Sequence, residues 1–248
     1  MSRQRSMLPE PIWTRSHPQT VFLARHGQSE ANVEERIAGQ TNPGLTEKGI
    51  RQAQRLGAVL QGTRLTKILA SCLKRSMDTA RVTAESQGLV VCPLEAINEM
   101  SFGLLEGRLR RHLDDDSQSL LAQWTKNKSH FRIPGGESLL DVRSRLLPDL
   151  TQVFADNPGG TLLIVGHRQT NLVILSALLG WDLRSIADLP IQSKYVYEIQ
   201  CGATPHVRTI CLTGNARGKR VEGFLTGDGT MKYCATSSSF SESNRNGQ

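Results

Sequence analysis

The sequence predicts an α/β fold, a three-layer α/β/α sandwich with a mostly parallel central sheet and a small inserted cap. Three observations carry that expectation. Thr20-Val-Phe-Leu-Ala24 and Thr161-Leu-Leu-Ile-Val165 are short apolar runs that enter polar, glycine-containing loops, as parallel strands buried on both faces do. Helical and strand patterns alternate as βαβαβ from the first run, and after Pro93 the alternation breaks for roughly forty residues, long enough for a cap with a helix of its own.

Taken in order, the second element is a helix over Thr46 to Gly62. Thr46 is its N-cap, Ile50, Ala53, Leu56 and Leu60 form one apolar stripe, and Gly62 stops it. Lys67-Ile-Leu-Ala70 reads as a strand, Leu73 to Gln87 as a helix and Leu89-Val-Val-Cys92 as a third strand. Beyond the break, Ser138 to Asp156 is a long helix, the Thr161 strand follows, and Asn171 to Leu179 is another helix. Tyr195 to Ile199 and Val207 to Cys211 complete the sheet. The expected organisation is a flexible arm over residues 1–18, one domain over 19–213 with its cap at about 100–136, and a tail over 214–248. The tail's Gly, Ser and Asn content predicts that it is largely disordered.

With 248 residues and 38% apolar content, the chain can bury a full core. The net charge of +7 suggests nucleic acid until it is divided: residues 1–18 carry +2 and residues 201–248 carry +3, which leaves +2 between them. Basicity that sits largely in the extensions, with only 5% aromatics, predicts no nucleic-acid partner. Five cysteines without a C-x-x-C pair and without a hydrophobic leader predict a reducing, cytoplasmic setting. The longest apolar stretch, Leu172 to Trp181, is too short to span a bilayer, so no membrane partner is expected. A homodimer is compatible with this composition.

The chemistry-bearing residues fall where open parallel sheets place their ligands, at the carboxyl ends of strands. Arg25-His26-Gly27 ends the first strand, Gly166-His167 ends a later one, Arg75 begins the helix after the second, and Glu99 follows the third. Two imidazoles, two guanidiniums and a carboxyl group can thus converge. Such a set suits phosphoryl transfer, which needs a nucleophile, a grip on a dianion and a proton for the leaving oxygen. Arg25 and Arg75 can hold phosphate oxygens bidentately, and Asn32 can add a neutral donor.

Arg25-His26-Gly27-Gln28-Ser29-Glu30-Ala31-Asn32 resembles the opening motif of the histidine phosphatase superfamily, the phosphoglycerate-mutase-like group. The resemblance continues through Arg36 to Gly39, Gly44 to Ala53, Ser71 to Ala80, Asn98-Glu99, Phe102-Gly103, Glu106-Gly107, Gly135-Gly136-Glu137-Ser138 and Gly166-His167. These motifs run in order from Thr20 to about Tyr197 and are closest to the phosphatase branch. The resemblance implies that His26 becomes transiently phosphorylated, and that Arg25, Asn32, Arg75 and His167 bind the phosphate. His167 would also stabilise transition-state charge, and Glu99 would act as general acid and base. The implied partner is a small-molecule phosphate ester, with no metal and no cofactor. Gln40 and Arg168 complete the expected phosphate- and substrate-binding set. Arg168 stands where relatives often carry a small residue, so it narrows the pocket or adds an anion contact.

Alternatives remain at this point. Glu106 is the rival acid, a zinc site at His26 and His167 the rival chemistry, and a mutase or a catalytically silent phosphoester binder the rival function. The presumed cap carries Arg108, Arg110, Arg111, Lys126, Lys128 and Arg132 against Asp114, Asp115 and Asp116. One or two of these bases are expected to face the crevice and select substrates with a second anionic group.

Overall fold

The computed structural model describes residues 19–202, 204–214 and 217–225, together with the backbone of 231–232. The expected N-terminal arm and most of the expected C-terminal tail lie outside the described residues.

The first strand, β1 (Thr20–Arg25), sends Val21 and Leu23 to one face and Phe22 and Ala24 to the other, and all four are buried. A single helical turn, α1 (Glu30–Val33), follows, then α2 (Glu47–Leu60), whose N-cap Thr46 accepts a hydrogen bond from the Gly49 amide. Its buried face is rotated from the expected stripe. Ile50 is 46% exposed while Gln52 is buried, because the Gln52 side-chain oxygen accepts from the Gln28 amide at 2.7 Å and so turns toward the β1 loop.

Strand β2 (Lys67–Ala70) and helix α3 (Lys74–Gln87) lie as predicted. The next strand is β3 (Val91–Pro93), shifted later than expected. Gly88 ends α3 in the left-handed region at φ 65°, and Val90 points to solvent at 79% exposure before pairing begins.

Past β3 the chain makes short 3-10 turns and one helix, α4 (Asp115–Lys126), capped by Asp114. Trp124 of α4 packs edge-on against Phe102 with ring centroids 5.1 Å apart, which seats this segment on the domain. Helix α5 (Leu139–Ala155), strand β4 (Thr161–Gly166), helix α6 (Arg168–Leu179), a helical turn α7 (Leu183–Ile186) and strands β5 (Tyr195–Gln200) and β6 (His206–Cys211) follow.

The sheet does not stop at residue 213. Strand β7 (Arg220–Glu222) pairs antiparallel with β6, and β8 (Phe224–Leu225) pairs with β9 (Met231–Lys232).

Strand order is β3-β2-β4-β1-β5-β6-β7, parallel through β1 and antiparallel beyond it. One core joins Phe22, Ala24, Ile68 and Leu163 to α2 and α3, and the other joins Val21, Leu23, Leu162 and Ile164 to α5 and α6. The result is the three-layer α/β/α architecture. Among the described residues, no helix is long and apolar enough to cross a membrane.

Candidate active site

The parallel strands β1, β2 and β4 deliver their carboxyl ends to one rim. His26 leaves β1 with its amide donating to the Gly166 carbonyl at 3.0 Å, so the ends of β1 and β4 are tied together. The loop that follows is pressed onto α2. A Cβ on Gly27 would stand 2.4 Å from the Gly49 carbonyl oxygen, and one on Gly49 would stand 2.1 Å from that of Gln28, so neither position admits a side chain. The Gly27 amide also donates to Thr79 Oγ1 at 3.0 Å, and that hydroxyl donates to the Arg75 carbonyl. The R-H-G loop is therefore fixed to the helix carrying Arg75.

Both histidines are buried, with ring centroids 5.0 Å apart. His26 Nδ1 lies 2.7 Å from the Gly27 carbonyl oxygen. A carbonyl only accepts, so Nδ1 carries the proton and Nε2 keeps its lone pair. Burial holds the His26 pKa well below the ordinary range, and the nearby Arg25 and Arg75 charges add to that. His167 is lowered likewise by burial and then by His26, Arg75 and Arg25. Its Nε2 is 2.5 Å from Ser71 Oγ, and its buried Nδ1 has no hydrogen-bond partner. Ser71 Oγ also accepts from the Leu73 amide at 3.4 Å, and with one proton and a second lone pair it can pair with Nε2 in either tautomer of His167.

Arg75 is buried on α3 and donates to the carbonyls of Thr41 at 2.6 Å and Gly39 at 2.8 Å; burial lowers its pKa to about 10. Arg25 donates to the Ile191 carbonyl at 3.2 Å. The Nε atoms of both arginines are buried without a partner. Unpaired buried polar atoms are costly, and here three of them, counting His167 Nδ1, belong to one cluster.

Glu99 is buried against the start of α6. Its Oε1 accepts from the amides of Met100 at 2.9 Å and Thr170 at 3.3 Å and from the Thr170 hydroxyl at 3.2 Å. Oε2 has only the Gln169 amide at 3.4 Å, so it is the oxygen with capacity for a further partner. Arg145 of α5 holds the loop beneath by donating to the carbonyls of Ala96, Asn98 and Glu99, and is itself paired with Glu137 at 2.7 Å. This gives the Gly-Gly-Glu-Ser segment a structural part that its sequence alone did not disclose.

A crevice of about 570 Å³ is lined by Arg25, His26, Asn32, Arg75, Glu99 and Arg168 of the expected set. Asn32 Oδ1 accepts from the Ser29 amide at 3.1 Å. Gln40 and His167 are not among the lining residues: the Gln40 side-chain amide is spent on the Glu99 carbonyl at 3.2 Å, and His167 is fully buried, its ring 5.0 Å from that of His26. Glu106 is not among them either. Its Oε1 accepts from the amides of Gln40 and Phe102, each at 3.0 Å, and thereby holds the Gly39 loop whose carbonyl receives Arg75.

Of the six cap bases, Arg110 and Lys128 line the crevice. Lys128 is already bonded to Asp188 at 2.6 Å, whereas Arg110 is lowered in pKa by burial and then by the neighbouring Arg168. Among the described residues, no three His, Cys, Asp or Glu side chains gather as a metal ion would need.

With this geometry in place, comparison with known proteins is decisive. The family model of the histidine phosphatase superfamily (branch 1) matches residues 21–207. The chain belongs to that superfamily. A relative from Cronobacter sakazakii, a probable phosphoglycerate mutase GpmB, is 34% identical over 163 residues, covering 64% of this chain and 74% of its own. Among solved structures, a mycobacterial glucosyl-3-phosphoglycerate phosphatase in complex with VO3 superposes with TM-score 0.70 at 26% identity, covering 78% of this chain and 98% of that one. Bacillus stearothermophilus YhfR gives TM-score 0.70 at 27% identity, covering 76% and 94%. The superfamily takes in both phosphatases and mutases acting on small phosphorylated compounds, and this chain has solved relatives in the phosphatase group.

Proposed function

We propose that this protein is a metal-independent phosphatase that hydrolyses a small-molecule phosphate monoester through a phosphohistidine at His26. The carrying observation is the Nδ1 contact to the Gly27 carbonyl, which leaves His26 Nε2 unprotonated in a site that keeps the ring neutral.

In this reading the phosphoryl dianion enters the crevice between Arg25, Arg75 and Asn32, and the Nδ1–H of His167 takes one of its oxygens. His26 Nε2 forms a bond to phosphorus as the ester P–O bond breaks, and Glu99 Oε2 gives its proton to the leaving alcohol. The resulting carboxylate then takes a proton from water. The water oxygen attacks phosphorus, the P–N bond breaks, and His26 returns to its neutral form. Fixed guanidiniums and the His167 N–H stabilise the charge spread over the equatorial oxygens in both steps. Arg168 and Arg110, together at the crevice wall, favour an ester whose remainder carries a second anionic group.

The test is phosphate release from a panel of monoesters with chelator present, for the intact protein and for His26→Ala. Chelator-resistant release that vanishes in the variant supports the reading; release that survives in the variant overturns it. The phosphoglycerate mutase named among the relatives favours a second reading, in which the phosphoryl group returns to a bound intermediate. Stimulation by a bisphosphorylated primer with little free phosphate would select it.

A further inference from the structure

A second cavity of about 550 Å³ lies beside the catalytic crevice and shares only Arg25 and Asn32 with it. It opens over the β1, β5 and β6 side of the rim, away from α4. Its walls are Gln28 from the β1 loop, Lys48, Gln52 and Arg55 from α2, Gln192, Ser193 and Lys194 from the loop entering β5, and Thr213 after β6. Four of the lining side chains are cationic and none is a carboxylate. Lys48 and Arg55 have neither an ion-pair nor a hydrogen-bond partner among the described residues. Other bases of this chain stand beside carboxylates, as with Lys74 and Arg81 on Asp78 or Arg208 on Glu222, whereas no carboxylate lines this concavity. Like charges brought together around a concavity repel one another at a cost that an anion between them removes.

We propose that this cavity is a binding site for a free phosphate-class anion, separate from the phosphoryl group that reacts at His26. Its neutral lining groups suit such a ligand: the Ser193 and Thr213 hydroxyls and the Gln192 amide can each donate to phosphate oxygens, while Lys48 and Arg55 supply charge. Its size admits a phosphate or a small phosphorylated metabolite. In the phosphatase reading the substrate's remainder extends the other way, along the crevice that Arg168, Arg110 and Trp124 line. Arg25 separates the two sites and belongs to both. An anion in the second cavity competes for that guanidinium and repels the incoming dianion, so occupancy raises KM for the ester and leaves the chemical step untouched.

The proposal extends the phosphatase reading, and calorimetric titration with inorganic phosphate tests it without requiring turnover. The intact chain is expected to bind two phosphates. Lys48→Gln with Arg55→Gln is expected to weaken one of them by a factor of about ten or more while the other remains. A single phosphate on the intact chain, or unchanged titration of the double variant, would overturn the second site whether or not the protein proves to be a phosphatase. The same double variant, assayed on a simple monoester and on one bearing a second anionic group, distinguishes the source of the anion. Unchanged KM for both supports a free anion, whereas a rise confined to the second ester would overturn that assignment and give the cavity to the substrate's own group.

Discussion

His26 Nδ1 stands 2.7 Å from the Gly27 carbonyl oxygen, one residue along the same chain. The contact can form only if Nδ1 carries the proton, and it turns the opposite nitrogen toward the crevice that Arg25, Arg75 and Glu99 also line.

Because burial keeps His26 and His167 neutral, both have folded-state pKa values below the ordinary imidazole value. The unfolded chain therefore binds protons below about pH 6.5 that the native state refuses. This contribution to stability is present above that pH and is lost as pH falls, by about 1.4 kcal/mol per pH unit for each histidine. Chemical denaturation from pH 7.5 to 5 should show the slope, and His167→Gln should remove part of it. In the same range, kcat/KM should show no loss near pH 6.5 assignable to His26.

Glu99 and Glu106 should separate kinetically. Glu99→Gln retains the shape but offers no acid, so kcat on a poor leaving group falls by about a hundredfold or more, with KM little changed. Glu106→Gln keeps an oxygen that can accept from the Gln40 and Phe102 amides but gives up the stronger carboxylate acceptor, so it raises KM modestly and leaves kcat on a poor leaving group little changed. Steady-state kinetics with esters of graded leaving-group pKa reads both; a kcat defect in Glu106→Gln that grows with leaving-group pKa would reverse the assignment.

These two glutamates also show what the sequence discloses. His26, His167 and Arg75 were legible because strand ends in a parallel sheet converge whatever the loops do. Glu106 lies in an equally well-formed motif, and only the fold shows its oxygen committed to two backbone amides. The parts of Ser71 and Arg145 as site supports are hidden in the sequence for the same reason: their partners are 96 residues away at His167 and up to 49 residues away at Ala96. Likewise Ile50 fits a helical stripe by spacing, yet the buried place on that side of α2 goes to Gln52, whose partner Gln28 lies on another element.

Ser71→Ala removes the hydroxyl partner of a fully buried imidazole nitrogen. His167 then loses the contact that holds its ring, and kcat should fall about tenfold or more while KM for the ester changes less. Ser71→Thr restores the hydroxyl and should recover part of the rate if the extra methyl is accommodated. Equal rates for all three proteins would refute a role for Ser71 in holding His167.

Arg168 and Arg110 should act on selectivity. Arg168→Ala and Arg110→Ala are each expected to raise KM for an ester carrying a second anionic group by roughly tenfold, with little effect on a simple aryl phosphate. Raising ionic strength should narrow the difference between the two substrates in the intact protein. Equal turnover of both substrate types at low salt would sink the selectivity claim.

The most direct measurement is rapid quenching of the intact protein with a labelled monoester, followed by mass spectrometry of the peptide that contains residue 26. The account predicts a base-stable, acid-labile phosphoryl group on His26 that forms at the rate of the burst and is absent from His26→Ala. Turnover of the intact protein without any phosphoryl adduct, or an adduct on another residue, would contradict it.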